Sequence, residues 1–253
     1  MPRDKRAGSL IIAAVNSILA KLKKDPLLPR LLRNSGYLFS STAVSAALGF
    51  VQGILIVRLI GIEQFGALTA VLLFASNVNR LLSFRMSEVT VKYLGEALAR
   101  EDKARAAALA KWIGIAEAFT SILAYLVLFF LSAWYAGDAV ETYYYRFYGL
   151  FLLANLVYET STGVLQATDR FKRVASANLL QSIASILLVC LAFFMRWSMF
   201  EILVAYLVGK TLAALVVTGS AFGELNRKLG TGWMRAPFAL VSDWKSIARF
   251  GLS

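Results

Sequence analysis

Four charged side chains interrupt otherwise apolar text in this chain: Arg80, Glu117, Glu159 and Lys210. Each sits in a run long enough to cross hydrocarbon, where a charge costs roughly 2.5–3.5 kcal/mol on insertion scales. Charges kept at such depth pair with one another or line a polar pathway. Glu159 stands in LVYETSTGVLQ, one turn after Asn155 and seven residues before Gln166. On a continuous helix these three form a polar stripe, suited to a cavity lining, a proton or ion site, or a structural pair with a cation. Lys210, of opposite sign and compatible depth, is the expected partner of Glu159. Glu117 lies near one end of its run and is expected to pair with a neighbouring basic loop. Arg80 either snorkels to the headgroups or lines a cavity. Together with Arg85, Arg58, Arg146 and Lys210 it would make that cavity cationic, which suits an anionic, pyrophosphate-bearing cargo because guanidinium matches phosphate geometry.

The elements that must position these groups follow from hydropathy. Of 253 residues 58% are apolar, and charges are absent from 34–57, 64–79, 118–137, 147–158, 174–195 and 211–223. About 20 mostly apolar residues cross the ~30 Å of hydrocarbon. We read crossings near 37–59, 64–84, 112–136, 147–168, 174–195 and 201–223, each helical because lipid offers the backbone no hydrogen bonds. The ten-residue alternation of a membrane barrel is missing. The expected fold is an all-α polytopic membrane protein with six transmembrane helices over 37–223, preceded by an arm (1–36) and followed by an amphipathic segment (224–253). Of 27 Lys and Arg, 22 fall in the arm, the tail and the loops after the second and fourth crossings; Arg58, Arg146 and Arg196 fall on the other side. Basic loops stay cytoplasmic, so both termini are expected inside. This distribution makes the net charge of +12 a topology signal and a contact for membrane lipids, and argues against nucleic acid as a partner. With no histidine and Cys190 alone, His-based metal sites, Ser-His or Cys-His nucleophilic pairs and intrachain disulfides are excluded. No cofactor is expected.

Residues 9–22 (SLIIAAVNSILAKL) read as a helix lying on the inner leaflet, with a cleaved signal and a disordered arm as competing readings. In the first crossing Ser41, Ser45, Gly49 and Gly53 recur every four residues, a stripe that lets another helix approach closely. Ser40, Thr42 and Gln52 suggest that part of this helix faces other helices or water. Gly61 and Gly66 permit a tight reversal into the second crossing. Tyr143, Tyr144, Tyr145 and Tyr148 suit either the membrane–water boundary or stacking on a sugar. Beyond Arg85 the text reads as an amphipathic surface helix: Met86, Thr90, Tyr93 and Ala97 share one face, and Arg85, Glu88, Lys92 and Glu96 the other. Glu88–Lys92 and Glu96–Arg100 are its expected ion pairs.

The stretch NSGYLFSSTAVSAALGFVQGILIVRLIGIEQFGALTAV, with Arg58-Leu59-Ile60-Gly61 through Phe65-Gly66 at its turn, resembles the first hairpin of bacterial oligosaccharide flippases and polysaccharide exporters. FRMSEVTVKYLGEAL (84–98), YETSTGVLQATDRF (158–171) and LVGKTLAAL (207–215) resemble the lipopolysaccharide-export branch of the multidrug/oligosaccharidyl-lipid/polysaccharide exporter superfamily. The resemblance spans 34–253. It implies one lobe of an exporter with two pseudo-symmetric six-helix lobes, a lipid-linked (polyprenyl pyrophosphate) oligosaccharide as cargo, alternating access as the mechanism and a bacterial inner membrane as the location. It also singles out Arg80 and Arg85 as cavity positions. The chain ends at ARFGLS, where that family enters its seventh crossing. A second lobe or a second copy is therefore an expected partner, the chain being a fragment, a split half or one subunit of a dimer.

Other functions remain in view. A cation-coupled multidrug-type antiporter of the same fold would work through Glu159. The membrane subunit of an ATP-driven exporter would need a separate ATPase, because GxxxxGK[ST] is absent here. A membrane transferase would need clustered carboxylates for a divalent metal, and no DxD or DxxD pair is present. The chain is therefore read as a transporter, not an enzyme.

Overall fold

The computed structural model describes residues 27–241 and 244–252, and every regular element among them is helical. The surface helix expected over 9–22 lies outside the described residues. Helix α1 (Leu27–Leu82) holds the first two expected crossings. Straight, its 56 residues would measure about 84 Å. At Gly61 the backbone leaves helical geometry (φ 82°, ψ 167°), a region open to glycine because it lacks Cβ. Two arms, 27–60 and 62–82, meet there.

Phe84 and Arg85, both at positive φ (42° and 48°), turn the chain into α2 (Met86–Val89), a π-helical turn (Thr90–Leu94) and α3 (Gly95–Ala99). The expected faces hold: Met86, Thr90, Tyr93 and Ala97 are buried, while Arg85, Glu88, Lys92 and Glu96 are exposed. Glu96 pairs with Arg100 at 2.7 Å. Glu88 pairs with Arg85, not with Lys92, whose ammonium lies 4.0 Å from the centre of the Phe250 ring. The π turn starts between Glu88 and Lys92 and changes the helical register that an i,i+4 pair requires.

Helix α4 (Lys103–Tyr135) starts at Asp102, whose carboxylate accepts from the Arg105 N–H at 2.9 Å. Helix α5 (Ala139–Ala154) starts at Asp138, which accepts from the Glu141 N–H at 2.7 Å. Helix α6 (Tyr158–Ala167) and helix α7 (Phe171–Met195) follow. Helix α8 (Met199–Leu229) opens on a Ser198–Glu201 capping box and ends at Gly230 with φ 89°. These caps satisfy amides that have no partner within the helix. Two short 3-10 turns, Trp233–Arg235 and Phe238–Leu240, lead to α9 (Trp244–Leu252).

Four helical stretches are long and apolar enough to cross a membrane: Asn34–Ala99, which includes the Gly61 kink, Lys103–Tyr135, Phe171–Met195 and Met199–Leu229. The chain is an all-α polytopic membrane protein. The crossing expected as one helix over 147–168 is instead two, α5 and α6, separated by Asn155, Leu156 and Val157.

Helix α7 packs between α1 and α8, and α4 packs against α5. Close approach is made at small residues, as expected where lipid replaces water. A Cβ built on Gly163 would lie 2.5 Å from Thr90 Cβ and 2.6 Å from the Ser87 carbonyl oxygen, so α6 presses directly on the surface helix. One built on Gly209 would meet Ser185 Oγ at 2.2 Å, which locks α8 to α7. Half of the expected stripe on α1 works this way. Ser41 is buried, and Ser45 accepts a hydrogen bond from Ser182 of α7 at 2.8 Å. Gly49 and Gly53 meet nothing within 4 Å.

The tyrosines divide. Tyr145 and Tyr148 are buried, and Tyr145 packs edge-on to Phe74 and Tyr135. They serve the core, not the membrane boundary, because α5 turns that face toward α1 and α4. Tyr143 and Tyr144 cluster with Phe147 and Phe200. Tyr143 is exposed there, in keeping with a boundary position.

Candidate functional site

The break between α5 and α6 is built from a distance. Neither proline nor glycine lies between Phe151 and Thr162, so nothing local forces the helix to stop. Glu117, about four turns inside α4 and almost fully buried, aims its carboxylate at the start of α6. One oxygen accepts from the Glu159 N–H and the other from the Thr160 N–H, both at 2.7 Å. A helix N-terminus carries unpartnered amides and a positive partial charge. An intramembrane carboxylate is the complementary group, and it removes the cost that orphan amides carry in lipid. Glu117 therefore serves a helix end, not the basic loop that its position suggested. The residues three and four away, Ile113, Gly114, Thr120 and Ser121, offer it no cation. That lack of a neighbouring charge was the only hint in the sequence that its partner lay elsewhere.

The same break rearranges the polar stripe. Asn155 caps the end of α5 and its carbonyl accepts from Tyr158 N–H at 3.1 Å, while Glu159 is in the first turn of α6 and Gln166 in the last. Glu159 and Gln166 share α6 and are half-buried. Asn155 is no longer in helical register with them. The expected Glu159–Lys210 pair is not formed. Lys210, half-buried on α8, lies with its ammonium 4.8 Å from the centre of the Phe151 ring, so an aromatic face of α5 takes the place of the carboxylate. The loss of helical continuity at 155–157 sets Glu159 on a different helix from the one that Lys210 packs against.

The cations do not form one cluster. Arg58 lies just before the Gly61 kink, and Arg80 lies in the last turn of α1. The arm between them spans about 29 Å at helical rise, so they mark opposite ends of a crossing. Arg85 is exposed and paired with Glu88. Arg146 of α5 donates to the Phe129 carbonyl (3.3 Å) and Ser132 Oγ (3.2 Å) and stacks over the Phe129 ring. What remains at one end is an exposed polar row on the 62–82 arm, Ser76, Asn77 and Arg80. On the other arm Ser40 and Thr42 are exposed, while Gln52 is buried against the bundle. Polar side chains on the outside of apolar helices need a wet surface, not acyl chains.

A second charged group escaped sequence reasoning. Glu224, near the end of α8, is buried and ringed by arginines: Arg227 one turn on, Arg170 at 3.3 Å and Arg173 at 3.9 Å. Arg170 and Arg173 join α8 to the start of α7. Both loops carried basic residues in the sequence, but nothing there placed them side by side.

No curated protein and no solved structure matches this chain. A family model described as polysaccharide biosynthesis protein matches residues 31–251. That span takes in both arms of α1, the surface helix, the broken crossing and the arginine-ringed Glu224, and the chain accordingly belongs to the polysaccharide biosynthesis protein family.

Proposed function

We propose that the chain is one lobe of a flippase that carries a lipid-linked oligosaccharide or polysaccharide precursor across a bacterial inner membrane by alternating access. In this reading the arms of α1, the broken α5–α6 crossing, α4, α7 and α8 make six passes, with both chain ends on the cytoplasmic side. A second lobe or a second copy completes the pathway. The observation that carries the proposal is the exposed row Ser76, Asn77 and Arg80 on an apolar arm, in a chain of the polysaccharide biosynthesis family. Such a row needs a wet, facing partner surface, and Arg80 offers a guanidinium to a pyrophosphate group. Transport requires no covalent step of the chain.

The test is movement of a fluorescent polyprenyl-pyrophosphate oligosaccharide across proteoliposomes that hold the chain, with and without its partner lobe. Arg80→Glu is expected to lower the rate at least tenfold, and an unchanged rate would count against the proposal. A cation-coupled antiporter is the second reading, favoured by the half-buried carboxylate of Glu159. It requires transport to collapse in Glu159→Gln and in the absence of an ion gradient, whereas the flippase reading places no coupling on that residue.

A further inference from the structure

The basic-side half of α4 carries an apolar ridge, Ile115 and Phe119, which are 54% and 68% exposed. A crevice opens on each side of it. One, of about 220 Å³, lies between Trp112, Ala116, Thr120, Phe84 and Ile247 of α9. The other, of about 250 Å³, lies between Gly114, Ala118, Val157, Thr160, Ala221 and Trp233. An open trough over Ile115, Ala116 and Phe119 joins them and is floored by Phe238 and Val241. At the floor sits Lys111, one turn below the ridge. Its ammonium donates to the Ala236 carbonyl at 3.2 Å and lies 4.0 Å from the Phe238 ring centre. An ammonium has three donors, so capacity is left for an anion. Arg235, exposed in the same segment, adds a second cation.

We infer that this face is a binding site for one anionic diacyl phospholipid of the leaflet nearest the basic loops. One acyl chain enters each crevice, the Ile115–Phe119 ridge stands between them, and the phosphate rests at Lys111 and Arg235. The two crevices match two chains in number and flank a single ridge. Lys111 and Arg235 lie together at the floor, where they can meet one headgroup. The site depends on the membrane setting of the chain and not on what the chain transports, so it stands or falls apart from the flippase reading.

The test uses the full chain in a mild detergent. Phosphatidylglycerol and phosphatidylcholine with the same dioleoyl tails are added together, and native mass spectrometry counts the lipids retained. Wild-type protein is expected to keep one phosphatidylglycerol per chain in preference to phosphatidylcholine. Lys111→Gln is expected to reduce that preference about fivefold, the usual effect of one basic residue near an anionic headgroup, while Lys111→Arg keeps it. Ala118→Phe, which fills the larger crevice, is expected to lower retention of both lipids. A phosphatidylglycerol with a diazirine in one tail is expected to label wild-type peptides containing Trp112 or Trp233. Equal retention of the two lipids, an unchanged preference in Lys111→Gln, or labelling confined to other peptides would each overturn the site. The labelling arm needs no variant, so misfolding of Ala118→Phe leaves the inference testable.

Discussion

Glu117 on α4 holds Thr160 on α6: its carboxylate accepts the Thr160 backbone N–H at 2.7 Å and, through its other oxygen, that of Glu159 at the same distance. A side chain from one helix thus completes the first turn of another, inside a crossing that nothing in its own residues would break. The buried carboxylate is held by two backbone amides, and no cation pairs with it among the described residues.

Glu117→Gln keeps one oxygen acceptor and Glu117→Ala keeps none. Hydrogen bonds to an ionised group contribute about 1.5–3 kcal/mol each. Thermal unfolding of the purified protein in detergent is expected to fall in the order wild type, Gln, Ala, with amide exchange rising first at Glu159 and Thr160. Protection of these two amides that is unchanged in the alanine variant would show that the cap holds nothing.

Glycine tolerance separates contact from open space. Gly163→Ala drives a methyl into Thr90 and the Ser87 carbonyl, and overpacking of that kind costs about 1–3 kcal/mol. Gly219 on α8 meets nothing within 4 Å, so Gly219→Ala is expected to leave stability unchanged or raise it by about 0.4–1 kcal/mol. Unfolding midpoints of the two variants, measured side by side, check the difference.

The Glu224 cluster is asymmetric, and the asymmetry is measurable. Removing the acid by Glu224→Gln leaves arginines that are 37% to 59% exposed and that water screens, a loss of about 1 kcal/mol. Replacing Arg170, Arg173 and Arg227 together by Gln strands a buried carboxylate, at about 3–5 kcal/mol. The triple variant is expected to be the less stable at neutral pH and to recover part of the loss as pH falls and the carboxylate protonates. Equal losses would mean that the arginines serve another purpose.

Orientation is tested by reporter fusion. Alkaline phosphatase joined near Asp138 is expected to be active and near Lys172 inactive, because the basic connections stay inside. The reverse pattern would invert the chain in the membrane.

The apolar runs made the long helices legible, and Gly61 marked where α1 bends. The surface helix was readable to its faces, since Met86, Thr90, Tyr93 and Ala97 follow a helical spacing that the structure buries. The break at 155–157 was not, because its cause is a residue on another helix. The Glu159–Lys210 pair failed for the same reason: depth along each crossing can be counted, but which helices touch is settled by side-chain shape, here by Phe151 meeting Lys210. Tyr145 and Tyr148 look like boundary residues by type, and only the packing of α5 on α1 and α4 turns them inward. The arginines around Glu224 were visible one at a time and became a cluster only in three dimensions.

That cluster bears on how the protein is made. Arg170 and Arg173 leave the ribosome well before Glu224, which arrives near the end of α8. Until it does, the earlier segments carry their positive charges unanswered at the membrane surface. Helix α8 therefore fastens the start of α7 only once its own far end is made, and a chain cut short before Glu224 would reach the membrane with its clasp open, exposed to the proteases that clear unfinished proteins.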